Sequence, residues 1–254
     1  MFLIAAVILL ASCTRLLSRA EKSPAPPPLP REQVERETQS IKEENIADVD
    51  LKTEDKINIK GTFYKGSNNT HSIILLHMLG RTRSDWNDFA LELQKLGYNV
   101  LAVDLRGHVQ SDSSWRIFSD SDFNKMILDV KAAKEFLTTK GIRNNTVIIG
   151  ASIGANVALK FAGQDDSVKA IVLLSPGLDY RGVKTEEAMK KFTKPILIVA
   201  SENDAYAADS SKTLESLSKN STLKIYSGAR HGTDLFGKTD VNKVIVDWID
   251  KNLK

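Results

Sequence analysis

The segment Gly150-Ala151-Ser152-Ile153-Gly154 holds a serine between two glycines, each two residues away. It follows the apolar run 147–149 and precedes the Ala-rich stretch ANVALKFA, so it reads as a strand, a tight turn and a helix. Side chains at 150 and 154 would clash in such a turn, which accounts for the glycines. The turn lifts the Ser152 hydroxyl off the sheet and aims the Ile153 N–H, at a helix start, toward any negative charge forming on a bound carbonyl. A serine alone is a weak nucleophile. It needs a base, and the base needs a group to orient it. The chain has four histidines. His231 follows the strand-like run 223–226 and is the first candidate base. His108, after Asp104-Leu105-Arg106-Gly107, is the second. His71 precedes a strand and belongs at the opposite end. The orienting acid is expected after the run 196–200, where Asp204 is the first choice and Glu202 the reserve; Asp179 is a further alternative. Asp204 also suits a plain helix N-cap.

These residues need strands that end near one another. Apolar runs at 73–76, 100–103, 147–149, 170–174 and 196–200 are short and nearly continuous, the pattern of strands buried on both faces. Alternating segments at 49–53 and 57–63 predict an antiparallel pair. Between the runs, Phe89, Leu93 and Leu96 have helical spacing, as do Met126, Val130, Ala133 and Leu137, and Val241, Ile245 and Trp248. Gly97 and Gly141 mark helix ends. Strands alternating with helices predict an α/β fold with a mostly parallel sheet, whose sites lie beyond the C-terminal strand ends.

The order Ser152, Asp204, His231 resembles the α/β-hydrolase superfamily, over residues 46–254. Leu76-His77-Met78-Leu79-Gly80-Arg81 resembles that family's H-G-x-G oxyanion loop, and Asp104-Leu105-Arg106-Gly107-His108 its D-x-R-G-H turn. The resemblance implies an eight-stranded sheet with helices on both faces. It implies Ser152 as nucleophile, Asp204 as acid and His231 as base. The oxyanion donors would be the N–H groups of Ile153 and Leu79, with Met78 as alternative. Met78 stands where the family usually has Gly, and Met resists the positive φ that Gly allows. The chain looks most like compact dienelactone-hydrolase-like and esterase members, with Ser in place of the Cys nucleophile of the former. Residues 175–194 leave room for one short helix over 185–192 and for no large lid. The expected activity is cleavage of carboxylic esters or thioesters. An inactive scaffold with this fold, or a peptidase or acyltransferase with the same triad, is the alternative. Trp86, Trp115, Phe118 and Tyr180 are candidate pocket linings but suit core or surface packing better; Arg81 and Arg83 could attract an anion or tie a loop to a helix.

Composition agrees with a globular chain. It has 254 residues, 42% hydrophobic and 26% charged, with net charge +3. That excess is too small to imply nucleic acid. No metal-ligand cluster, phosphate loop or dinucleotide fingerprint occurs, so no cofactor is expected. The single cysteine excludes an intrachain disulfide. Residues 2–11 form an apolar run of signal-peptide length ending in Leu10-Ala11-Ser12-Cys13. This resembles the lipobox of bacterial lipoproteins, which implies cleavage after Ser12, lipid on Cys13 and, with Thr14 rather than Asp next, retention at the outer membrane, where the hydrolase would meet a small-molecule ester substrate. Five prolines within residues 23–30 predict an extended spacer, followed by a charged stretch to residue 45. The expected organisation is therefore signal 1–12, tether 13–45 and hydrolase domain 46–254.

Overall fold

The computed structural model describes residues 45–253 apart from 69, 110 and 144. Cys13, the signal and the tether lie outside the described residues.

Eight strands form one sheet: β1 (Ile46–Lys52), β2 (Asn58–Tyr64), β3 (Ser72–Leu76), β4 (Asn99–Val103), β5 (Thr146–Ala151), β6 (Val168–Leu174), β9 (Ile196–Ser201) and β10 (Ser221–Tyr226). A separate two-stranded hairpin supplies β7 (Asp179–Tyr180) and β8 (Val183–Lys184). The order across the sheet is β1-β2-β4-β3-β5-β6-β9-β10. The β1–β2 and β2–β4 pairs are antiparallel, and every later pairing is parallel. The helices are α1 (Asn87–Lys95), α2 (Asp120–Asn124), α3 (Met126–Thr139), α4 (Ile153–Ala162), α5 (Glu186–Lys191), α6 (Ala205–Leu217) and α7 (Val241–Asn252).

The continuous apolar runs are explained by two cores, one on each face. Ile74, Leu76, Ile148, Ile171, Leu173 and Ile198 face a cluster that includes Met126, Val130 and Leu137 of α3 and Val157 and Leu159 of α4. The intervening Ile73, Leu75, Val147, Ile149, Val172 and Val199 face Trp86, Phe89 and Leu93 on one side and Val241, Ile245 and Ile249 of α7. Alternate side chains of a strand point to opposite faces, so both sets must be apolar. Leu96 departs from its helical spacing: it lies at the C-cap of α1 and is 53% exposed. Gly97 and Gly141 end their helices with φ of 97° and 83°.

β3 lies between β4 and β5, so the chain moves to one side of β3 and then crosses to the other. The loops leaving β3 and β5 diverge there, opening a crevice at the strand C-termini. That crevice lies between the Leu76–Arg81 segment and Ser152.

Candidate active site

Ser152 sits between β5 and α4 with φ 55° and ψ −121°, a conformation that L-residues rarely adopt. Two close backbone approaches hold it there. A Cβ on Gly150 would lie 2.2 Å from the Gly154 carbonyl oxygen. A Cβ on Gly154 would lie 2.5 Å from the carbonyl oxygen of Leu76 and 2.6 Å from that of His77. The second glycine thus does more than permit the turn; it lets α4 abut the end of β3. The Ile153 N–H opens α4, and neither it nor the Leu79 N–H donates to any acceptor among the described residues.

The loop after β3 is shaped by two buried histidines. Leu105 N–H donates to His77 Nε2 at 3.0 Å, so the proton resides on Nδ1, which donates to Met78 O at 2.7 Å. Arg81 N–H donates to the same carbonyl at 3.1 Å. The Leu79 N–H belongs to the same trans peptide and therefore points the other way. His108 repeats the device: Gly80 N–H donates to its Nε2 at 3.1 Å, leaving Nδ1 to donate to the carbonyls of Leu105 and Arg106. Burial pushes the His77 imidazole down to about 3 and the His108 imidazole below its usual range. With both nitrogens committed, His108 is not available as the base. Met78 does not strain the loop: positive φ falls on Gly80, at 72°. The Met78 side chain is buried toward Gly232, where an added Cβ would meet its Sδ at 2.4 Å.

The candidate acid and base lie in the loops after β9 and β10. His231 Nδ1 and Asp204 Oδ2 are 2.6 Å apart. Asp204 occupies the N-cap position of α6 but makes no cap hydrogen bond with its side chain. The two other acids are occupied elsewhere: Glu202 accepts from Gly228 N–H at 3.4 Å, and Asp179 accepts from Gly182 N–H at 2.7 Å. His71 is on the far side, bonded to Asn68 and Thr70. The His231 loop is tied down at several points. Ser201 Oγ donates to Arg230 O at 2.7 Å, and Thr233 donates to Asp85 at 3.1 Å. Gly232 N–H donates to Ser175 Oγ at 2.9 Å.

Ser175 and Tyr180 belong to the site and were not singled out as its machinery by the sequence. Ser175 directly follows β6, is fully buried and has φ 49°. Its place just past a buried strand is the signal that could have found it. The Tyr180 hydroxyl lies 3.4 Å from Ser175 O. Its ring is edge-on to His231, with centroids 6.3 Å apart. No hydrogen bond joins Ser152 to His231 among the described residues; such bonds are often long before substrate binds. A shallow depression of about 760 Å³ opens beside His231, lined by Arg230, Thr233, Asp234, Phe236 and Lys238 among others, without reaching Ser152.

The remaining candidates have structural partners. Trp86 is buried in the core, and Trp115 stacks on His108. Phe118 packs edge-on against Phe123. Arg81 pairs with Asp85 and Asp234, and Arg83 with Asp104 and Asp48. Both arginines tie loops to one another rather than facing an open pocket. Among the described residues, no group of three or more His, Cys, Asp or Glu is placed to hold a metal ion.

Known proteins share this arrangement of strands and helices. The esterase Pf2001 of Pyrococcus furiosus superposes with a TM-score of 0.68 at 18% identity, covering 82% of this chain and 91% of that one. Est1E of Butyrivibrio proteoclasticus, solved with ferulic acid, gives 0.69 at 16% identity, covering 80% and 98%. The esterase RhEst1 of Rhodococcus sp. ECU1013 gives 0.67 at 17% identity, covering 81% and 99%. The chain has the α/β-hydrolase fold. Its residues 67–187 match the model of a hydrolase family described as serine aminopeptidase, S33. That stretch contains Leu79 and Ser152 and stops before Asp204 and His231. The AB hydrolase superfamily protein YisY of Bacillus subtilis (strain 168) is 29% identical over 127 residues, 49% of this chain. The match spans less than half of that relative, 44% of its length. In α/β-hydrolase terms, the short connection from β6 to β9 carries only the β7–β8 hairpin and α5.

Proposed function

We propose that the protein is a serine hydrolase that cleaves carboxylic esters, thioesters included, through an acyl-enzyme. The observation that carries this reading is the Asp204–His231 pair, 2.6 Å apart, at the same sheet edge as a serine held at φ 55°. Ser152 Oγ attacks the substrate carbonyl. His231 Nε2 takes the serine proton and passes it to the leaving oxygen. Asp204 fixes the ring orientation through Nδ1 and stabilises the charged imidazole. The N–H groups of Ile153 and Leu79 receive the oxyanion; losing one such donor typically costs about 3–4 kcal/mol of barrier. Water then attacks the acyl-enzyme by the same route in reverse. The structural neighbours named as esterases support ester over amide chemistry, and the absence of a large lid supports short or exposed esters.

Fluorophosphonate labelling of the wild type and Ser152→Ala tests the nucleophile. The wild type is expected to label and the variant to stay unlabelled; equal labelling would reject the assignment. A panel of p-nitrophenyl acyl esters beside an aminoacyl p-nitroanilide tests the bond cleaved. Turnover of the anilide alone would make the protein a peptidase.

The proposed location rests on the sequence. Lipid on Cys13 would anchor the protein to the cell envelope, on the outer membrane, with the proline-rich stretch as spacer.

A further inference from the structure

The β7–β8 hairpin places the Tyr180 ring edge-on to His231, and nothing in the proposed chemistry uses it. Two features show that the placement is built rather than incidental. The turn residues Arg181 and Gly182 have φ of 53° and 76°, the paired positive angles of a tight hairpin turn. Gly177 leaves the space the ring occupies: a Cβ there would lie 2.7 Å from the Tyr180 ring and 2.8 Å from the Tyr206 ring.

The hairpin is also clamped from three helices. Tyr206 of α6 accepts from Asp179 N–H at 2.9 Å and donates to Asp179 O at 3.0 Å. Asn156 of α4 accepts from Gly177 N–H at 3.0 Å and donates to Val183 O at 2.8 Å. Asn124 of α2 donates to Gly182 O at 3.0 Å. The two Asn156 bonds are buried and expensive to break, and the others add to them from two further helices, so the hairpin is a fixed wall and not a swinging lid.

Which part of the substrate meets that wall follows from the chemistry, and here the inference rests on the serine-hydrolase reading. His231 must give its proton to the leaving oxygen, so the alcohol part of an ester leaves on the His231 side of Ser152. Tyr180 stands on that side, packed edge-on against Tyr206 at 5.4 Å. We propose that Tyr180 is a specificity-determining residue that contacts the leaving group and selects esters of small, unbranched alcohols. Its phenol stays protonated, because burial and the nearby Asp204 carboxylate push its pKa up.

The test compares kcat/KM for two ester series in the wild type, Tyr180→Ala, Tyr180→Val and Tyr180→Phe. One series holds acetate and varies the alcohol from ethyl to isopropyl to tert-butyl. The other holds the ethyl alcohol and varies the acyl group from acetyl to isobutyryl to pivaloyl. Tyr180→Ala and Tyr180→Val should raise the branched-to-ethyl alcohol ratio about tenfold or more, the scale of a small volume change in a pocket. The acyl ratio should stay within about twofold, and Tyr180→Phe, which keeps the ring, should keep the wild-type alcohol ratio. If either truncation fails to fold by thermal melt, the other carries the comparison, and should both fail, Tyr180→Trp should lower the branched-to-ethyl ratio. An unchanged alcohol ratio in folded, active Tyr180→Ala or Tyr180→Val, or in Tyr180→Trp where both truncations fail, would overturn the role of Tyr180 and leave the hydrolase reading intact, and so would an equal change in the acyl series. A wild type that cleaves no ester and takes no fluorophosphonate would overturn both.

Discussion

Asp204 stands where a helix cap belongs, yet its carboxylate turns to His231 instead of to the free N–H groups of α6. Its worth should therefore appear in turnover more than in folding. Asp204→Asn is expected to lower kcat by roughly three to four orders of magnitude with little change in melting temperature. Glu202→Gln and Asp179→Asn should stay within about twofold of wild type, and steady-state kinetics on one ester separates the three. His77 makes the opposite kind of contribution. Its imidazole is held neutral by burial, down to about 3 from an ordinary 6.5. Below pH 6.5 the unfolded chain takes up a proton that the folded chain refuses, so stability from His77 is complete above that pH and declines as pH falls toward 3. The slope is at most about 1.4 kcal/mol per pH unit. The melting-temperature advantage of wild type over His77→Gln should thus shrink from pH 7 to pH 5; a constant gap would mean that His77 is not neutral in the fold. Ser152, His231 and Asp204 could be proposed from sequence because each follows a readable strand. Ser175 follows one too, but serine after a strand is common, and only the bond from Gly232 N–H marks it. Tyr180 was visible as an aromatic residue near the right strand, but its place beside His231 depends on a turn that local pattern does not reveal.

Elements that bury two faces announce themselves, and elements that bury none do not. The runs at β3, β4, β5, β6 and β9 are apolar throughout because a helix layer covers each side. The β7 and β8 strands have two residues each, too few for any periodicity, so residues 175–194 read as a loop with one helix. That helix runs Glu186–Lys191, shorter at both ends than the spacing predicts, since Phe192 already turns to extended backbone. The strand–turn–helix around Ser152 was legible as a pattern, whereas the reason for its second glycine lies across the sheet in the carbonyls of Leu76 and His77. Gly154→Ala must push α4 away from that loop. We expect a loss of about 1–3 kcal/mol in denaturant unfolding, the usual cost of overpacking, together with a fall in kcat as the Leu79 N–H shifts. By contrast, Ser119→Ala removes the capping box at the N-terminus of α2, at the opposite end of that helix from Asn124. It should cost about 1 kcal/mol and leave kcat unchanged. Equal kinetic damage from both variants would mean that simple destabilisation, not loop placement, controls activity.

At the scale of the whole chain, the lipobox resemblance makes a claim about residues outside the described fold. Cys13→Ala should release the protein from membrane fractions, and a chain starting at residue 46 should stay active in solution. Mass spectrometry of native protein showing an unmodified Cys13 and an intact Met1 would reject the anchor. A parallel sheet has a further consequence. Ser152 follows β5, Leu79 follows β3, Asp204 follows β9 and His231 follows β10, so the reacting groups are scattered along the chain and meet only at one sheet edge. During synthesis Ser152 and the N–H groups of Ile153 and Leu79 leave the ribosome well before His231, and α7, which contributes Val241, Ile245 and Ile249 to the second core, follows them. An incomplete chain would therefore hold the proposed nucleophile with nothing to take its proton. On the proposed reading, reactivity toward esters would begin only once the His231 loop has joined the sheet.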